Sequence, residues 1–211
     1  MKAARAFGLL VGQFLVVYLP AFAAVGALRM SIDRAVPTII AVTTISASIV
    51  MLVIARSQEW SFSDFGFRWP AMRYIGHALV LGVPLAIAVA VLLNHFRELG
   101  PLAGLHIAPW LALICFGMAA PVQEEVIFRG LLQTHFQANL MTAGLIEARA
   151  SRVAVIVVAL VFAVIHLEVG PMTAIGAVAL GLLAGELRRR SASLVPAILC
   201  HSLFNIAGLL F

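Results

Sequence analysis

Three charged residues lie close together in an otherwise apolar stretch of this chain. Glu124, Glu125 and Arg129 fall within the segment APVQEEVIFRGLLQ, which has apolar sequence on both sides. Glu125 and Arg129 are four residues apart, so on a helix they share one face and can pair. Glu124 points about 100° away from Glu125 on such a helix. The spacing therefore predicts a structural ion pair between Glu125 and Arg129 and leaves Glu124 available for chemistry.

Two histidines lie in apolar stretches later in the chain. His166 follows Phe162 by four residues, and His201 precedes Asn205 by the same interval. A carboxylate such as Glu124 with an imidazole beside it can take a proton from a confined water molecule and return it to a leaving amine. A second histidine and an amide one helical turn apart, His201 and Asn205, can donate hydrogen bonds to a tetrahedral oxyanion. The set predicts hydrolysis of an acyl bond.

The same side chains also suit a metal ion. Glu124, His166 and His201 could be three ligands of a zinc ion that carries a bound water molecule. A divalent metal such as zinc therefore stays open as a cofactor, beside a mechanism that uses none. Both routes lead to hydrolysis.

The elements that must position these residues are membrane spans. Of the 211 residues, 63% are hydrophobic and 11% are charged, against about 25% charged in an average soluble domain. A soluble core of this size could not bury so much apolar surface. Runs suited to a ~30 Å hydrocarbon core predict an all-α transmembrane helix bundle of about seven spans, the fourth interrupted by Pro121. The spans cover residues 6–28, 36–55, 74–94, 108–137, 152–169, 172–187 and 194–211.

The distribution of Lys and Arg predicts the orientation of the bundle. These residues lie singly or in short groups between apolar runs, so we expect no nucleic-acid partner despite the formal net charge of +5. The connections on one side of the predicted bundle hold Lys2, Arg5, Arg56, Arg68, Arg73, Arg129, Arg149, Arg152 and Arg188 to Arg190. The other side holds Arg29, Arg34 and Arg97. This bias predicts a cytoplasmic N-terminus, in a plasma (inner) membrane of bacterial or archaeal type.

One integral membrane domain over residues 1–211 is expected, in two parts. Residues 1–107 contain three spans and an aromatic, polar connection at 56–73, which suits an interfacial position at the lipid headgroups. Residues 108–211 contain the helices that carry the candidate chemistry. In the sixth span, Gly181 and Gly185 form a small-xxx-small pattern that allows two helices to approach closely.

Three motifs, in order along successive hydrophobic helices, resemble those of the CPBP intramembrane protease family. This family includes the CAAX prenyl proteases and bacteriocin-processing and immunity proteins. The motifs are EExxxR (Glu124, Glu125, Arg129), FxxxH (Phe162, His166) and HxxxN (His201, Asn205), within about residues 108–211. The resemblance implies a peptidase in which Glu124 and His166 activate water. It implies that His201 and Asn205 support the oxyanion, and the family's description as both glutamic and metalloproteases leaves the metal open.

The expected partner is a membrane-anchored or lipidated peptide or protein within the lipid bilayer, processed at a CAAX-like site or at a C-terminal sorting tag. Two other functions remain open. A non-catalytic immunity or scaffold protein could use the same fold to bind a peptide. A proton-coupled transporter would also explain buried Glu and His residues, although no internal repeat is visible in the sequence.

Overall fold

Seven helices contain most of the residues that this computed structural model describes, which are residues 2–96 and 108–210, except the side chains of Ile32 and Asp33. We name them α1 (Lys2–Ala27), α2 (Ile32–Gln58), α3 (Met72–His95), α4 (Pro109–Thr142), α5 (Glu147–Val164), α6 (Pro171–Ser191) and α7 (Val195–Leu210). No strand occurs in these described ranges. The predicted all-α class is confirmed, while Arg97 of the orientation argument lies outside the described residues.

Length and apolar composition distinguish the first four helices from the last three. The helices α1 to α4 are long and apolar enough to cross a membrane, taking α2 from Arg34. The helix α7 is apolar but only 16 residues long. The helices α5 and α6 carry charges at the end where α5 begins and α6 ends, including Glu147, Arg149 and Arg188. They pack closely against each other, and α6 packs against α7, so the last three helices complete the bundle.

The bounds predicted for the fifth span, 152–169, are wrong at both ends. The helix α5 runs from Glu147 to Val164, and residues 165–169 form turns. Pro171 begins α6, and a residue that precedes proline disfavours helical backbone. Helical backbone is thus disfavoured at Gly170, and α5 has already ended at Val164, so His166 lies beyond the helix end rather than within the helix.

The helix α4 contains two π-helical stretches, Leu113–Ala119 and Val126–Gln133. Such stretches use i→i+5 hydrogen bonds, are rare, and often occur at functional sites. Between them, Ala120–Glu125 is α-helical and has Pro121 in its first turn. The predicted interruption at Pro121 is thus a change of helix type, and the helix continues through it.

Glycines of α6 allow two neighbouring helices to approach its backbone. A Cβ atom on Gly181 would lie 2.9 Å from the Cβ atom and 3.0 Å from the Cα atom of Ala159 on α5. The carbonyl of Gly181 accepts a hydrogen bond from Arg129 at 3.3 Å, and that of Gly185 accepts one from Gln133 at 3.1 Å. The small-xxx-small pattern therefore serves packing, as predicted. Its two glycine carbonyls also accept hydrogen bonds from side chains of α4.

Substituting Gly181 with Ala is expected to destabilise the protein by about 1–3 kcal/mol, because the added methyl group overpacks the contact with Ala159. Thermal unfolding of the purified protein in detergent would measure the loss. Gly12→Ala is the matched control, since a Cβ atom at Gly12 meets nothing within 4 Å. Equal melting temperatures for the two variants would contradict this account of the α5–α6 contact.

The connection between α2 and α3 folds back onto the bundle. Phe65 is buried and its ring lies 5.6 Å from that of Trp60, whereas Trp69 is 76% exposed. The Arg188 guanidinium of α6 donates to the Asp64 carbonyl at 2.8 Å. The connection is therefore held against the end of α6 with part of its aromatic surface outside, and its position at the lipid headgroups stays a prediction.

Candidate active site

A cavity of about 390 Å³ in one half of the bundle is lined by all four predicted catalytic residues. Glu124 reaches it from α4, His166 from the turn after α5, and His201 and Asn205 from α7. Its volume is in the usual range of ligand pockets, about 300–1,000 Å³. Much of the remaining wall is apolar and includes Phe22, Val36, Ile39, Val89, Leu93 and Phe204. The fold thus brings polar groups from three separate motifs to one apolar cavity.

Glu125 lies behind the cavity wall and is fully buried. Its Oε1 atom is 3.0 Å from Nη1 of Arg129, so the ion pair predicted from the sequence spacing is present. The Arg129 guanidinium is also fully buried and lies 4.7 Å from the centre of the Phe162 ring, a cation–π contact. Two buried opposite charges in contact offset part of each other's desolvation cost.

His201 lies between the two adjacent glutamates. Its Nδ1 atom is 2.8 Å from Oε1 of Glu125, and its Nε2 atom is 3.6 Å from Oε2 of Glu124. The side chain of Glu124 is 19% exposed, whereas those of Glu125 and His201 are 0% and 2% exposed. A molecule in the cavity can therefore reach the carboxylate of Glu124 but not that of Glu125. The imidazole beside Glu124 is that of His201, on α7.

His166 is held by the end of its own helix. Its Nδ1 atom is 2.7 Å from the carbonyl oxygen of Phe162, and the two rings lie 4.5 Å apart. The last carbonyls of a helix lack partners within the helix, so the Phe162 carbonyl accepts a hydrogen bond from the Nδ1–H group of His166. The Nε2 atom of His166 then carries the lone pair.

Asn205 is oriented by the irregular backbone of α4. Its Nδ2 atom donates to the carbonyl of Phe116 at 2.8 Å. In a π-helical stretch this carbonyl would accept the N–H of the fifth residue onward, which is Pro121. Proline has no N–H, so the Phe116 carbonyl is free for the side chain. One amide hydrogen of Asn205 is used there, which leaves the other for a ligand.

The proposed zinc ligands do not form a metal site in this arrangement. Within residues 2–96 and 108–210, no group of three His, Cys, Asp or Glu side chains could hold a metal ion. The Nδ1 atoms of His166 and His201 bond to Phe162 and Glu125, so the Nε2 atoms are the ring nitrogens available to a ligand in the cavity.

Sequence reasoning missed several polar residues near the cavity. Gln123 lines it directly beside Glu124, and its polar side chain in an apolar run was a usable signal. Tyr18 of α1 lines it as well, and no spacing in the sequence connects α1 with the motifs. Glu168 also lines it, although its place near a predicted span end gives it no role in the sequence argument. Gln133 is buried and donates a hydrogen bond to the Gly185 carbonyl of α6. Its position one helical turn beyond Arg129, as a polar residue in an apolar run, was a signal that the sequence offered.

Comparison with known proteins agrees with the resemblance seen in the motifs. No curated protein and no solved structure matches the chain. One family model, described as type II CAAX prenyl endopeptidase Rce1-like, matches residues 106–207, which contain all three motifs. Residues 106–207 are accordingly a domain of the Rce1-like type II CAAX prenyl endopeptidase family, which is a family of peptidases.

Proposed function

We propose that this protein is an intramembrane endopeptidase that hydrolyses a peptide bond of a membrane-associated substrate. The observation that carries the proposal is the convergence of Glu124, His166, His201 and Asn205 on one cavity with a largely apolar wall. Such a wall suits a hydrophobic segment, and the polar groups suit a peptide bond within that segment. A CAAX-like C-terminus and a C-terminal sorting tag are the two substrate types that we propose.

Glu124 acts as the general base in this mechanism. Its carboxylate takes a proton from a water molecule in the cavity, and the oxygen of that water attacks the carbonyl carbon of the substrate. His166, whose Nε2 atom carries the lone pair, binds the same water across the cavity. The proton held by Glu124 then passes to the nitrogen of the leaving amine, and the carbon–nitrogen bond breaks.

His201 and Asn205 stabilise the oxyanion that forms when water attacks. The free amide hydrogen of Asn205 is one donor. The Nδ1 atom of His201 faces Glu125, so the Nε2 atom is the second donor when the ring carries a proton on both nitrogens. Donors that are already oriented need no reorganisation during the reaction, which is why they stabilise a developing charge strongly.

Glu125 and Arg129 support these donors without contacting the substrate. Glu125 accepts a hydrogen bond from the Nδ1–H group of His201 and so fixes the plane of the imidazole ring. Arg129 neutralises Glu125 and bonds to Gly181 of α6. Phe162 separates this ion pair from the cavity, since its ring lies against both Arg129 and His201.

Cleavage by the purified protein in detergent tests the proposal. Synthetic peptides with a lipidated or transmembrane C-terminal segment would be incubated with the protein, and mass spectrometry would detect new termini. His166→Ala is expected to lower the cleavage rate by about 100-fold or more, because it removes a group that orients the water. His77→Ala is the matched control, since His77 is exposed near the start of α3 and does not line the cavity.

Full cleavage by the His166→Ala variant would reject the mechanism. If the protein binds a peptide and never cuts it, the scaffold or immunity function is favoured instead. Uptake of a solute into vesicles that depends on His201, again without cleavage, would favour the transporter.

Dialysis against a metal chelator is expected to leave the cleavage rate unchanged, because every proton transfer above runs through protein side chains. The rate would be measured before and after dialysis, together with the metal content of the protein by elemental mass spectrometry. A rate that falls with the metal content and returns on addition of zinc would replace the glutamic mechanism with a metal-dependent one.

A further inference from the structure

We infer that the cavity opens toward the side of the membrane opposite the cytoplasm, so that the substrate is a polypeptide segment that has been exported or inserted and is cut near the middle of the bilayer. The inference names the substrate class of the proposed peptidase and therefore rests on that function. It follows from two observations, the position of the cavity along the helices and the position of the exposed basic residues.

Each helix contributes to the cavity from the same end of the bundle. Lining residues come from the second half of α1, the first third of α2, the last third of α3 and the first half of α4. They also come from the end of α5 and the turn after it, from the first half of α6, and from the middle of α7, at His201, to its C-terminal end. Since consecutive helices run in opposite directions, these portions all lie at the end that contains the turns at 28–31 and 165–170.

The exposed basic residues are concentrated at the other end. They lie at the start of α1, around the connection between α2 and α3, at the start of α5 and at the end of α6. This group comprises Lys2, Arg5, Arg56, Arg68, Arg73, Arg149, Arg152 and Arg190. Arg129, which the sequence argument counted with them, is fully buried and paired, so it carries no information about orientation. Without it the asymmetry remains large, because the described basic residues at the cavity end are Arg29 and Arg34.

Lys and Arg near the ends of membrane spans are retained on the cytoplasmic side. The basic end of the bundle is therefore cytoplasmic, and the cavity faces the opposite side. His201 lies nine residues before the end of α7, roughly 14 Å at 1.5 Å per residue. His201 also lies six residues after the start of α7, so the bond to be cut is near the middle of a ~30 Å hydrocarbon core and is reached from the outer side.

This orientation restricts the substrates. A lipidated C-terminus that approaches from the cytoplasm meets the basic end of the bundle, where the α2–α3 connection packs on α6 through the Arg188–Asp64 contact. A segment anchored from the outer side, or the outer part of a transmembrane helix, reaches the apolar cavity directly. Of the two proposed substrate types, the orientation favours the sorting tag of an exported protein.

Two cysteine variants at opposite ends of α2 test the orientation. Ser31 precedes α2 at the cavity end and Ser57 lies in its last turn at the basic end, and both are exposed. Intact cells expressing Ser31→Cys or Ser57→Cys would be treated with a membrane-impermeant maleimide, before and after permeabilisation. Ser31→Cys is expected to react in intact cells, and Ser57→Cys only after permeabilisation. The unsubstituted chain is the control, because Cys115 and Cys200 are both buried.

Reaction of Ser57→Cys in intact cells, or protection of Ser31→Cys in them, overturns the inference. Both variants would also be assayed in detergent, where the two sides are equally accessible. Cleavage that persists with reversed labelling rejects only the orientation. Labelling as expected without any cleavage rejects the proposed function while the orientation is retained.

Discussion

Glu124→Gln is expected to lower kcat for peptide cleavage by about 10²–10⁴-fold, the usual contribution of general acid–base catalysis. Glutamine keeps the size of the side chain and its place beside His201, but it cannot take a proton from water. Substrate binding should change little, because the apolar wall of the cavity is untouched. The measurement is the steady-state rate in detergent over a range of peptide concentrations, which separates kcat from KM.

Glu147→Gln is the matched control for this result. Glu147 is an exposed carboxylate at the start of α5, at the end of the bundle away from the cavity, so the same change there should leave the rate unaltered. Both variants should unfold at the temperature of the unsubstituted protein. A Glu124→Gln protein that cleaves at the original rate would remove Glu124 from the mechanism.

Arg129→Met is expected to destabilise the protein by about 3–5 kcal/mol, the usual cost of breaking a buried ion pair from one side. The change leaves the Glu125 carboxylate buried without its guanidinium partner. It also removes the hydrogen bond from α4 to Gly181 of α6. Thermal unfolding in detergent, followed by the loss of helical circular dichroism, would measure the effect.

The double variant Glu125→Gln/Arg129→Met separates the unpaired charge from the lost packing. It removes both charges, so it should be more stable than Arg129→Met alone, and comparison with both single variants, Arg129→Met and Glu125→Gln, gives the coupling energy between the two residues. The introduced glutamine would still be able to accept the Nδ1 proton of His201 through its side-chain carbonyl. Strictly additive effects of the two substitutions would show that Glu125 and Arg129 are not coupled in stability.

Local spacing was sufficient to predict the features of the site that depend on one helix. The Glu125–Arg129 contact follows from the four-residue interval, and it survives although Arg129 lies in a π-helical stretch. The helical class and the approximate positions of the spans follow from hydropathy alone. The resemblance to a peptidase family rests on three such local motifs, and the family model confirms it.

Features that depend on packing between helices could not be predicted in this way. The contact of His201 with Glu125 joins α4 to α7 across the bundle, and no interval along the chain encodes it. Tyr18 reaches the cavity because α1 packs beside α4, which hydropathy does not reveal. The sequence placed His166 within a span because Leu167 and Val169 extend the apolar run, whereas the helix ends at Val164.

The two π-helical stretches of α4 have a consequence for how related chains should be compared. A π-helical stretch has more residues per turn than a regular α-helix. Deleting one residue from such a stretch can therefore be accommodated by a local return to α-helix, which rotates the side chains on one side of the deletion relative to those on the other. A deletion within Leu113–Ala119 would turn Phe116 relative to the glutamates and withdraw the acceptor used by Asn205. A deletion within Val126–Gln133 would instead turn Arg129 and Gln133 relative to Glu125. Relatives that lack a residue in either stretch should therefore show compensating changes on α7 in the first case and on α6 in the second.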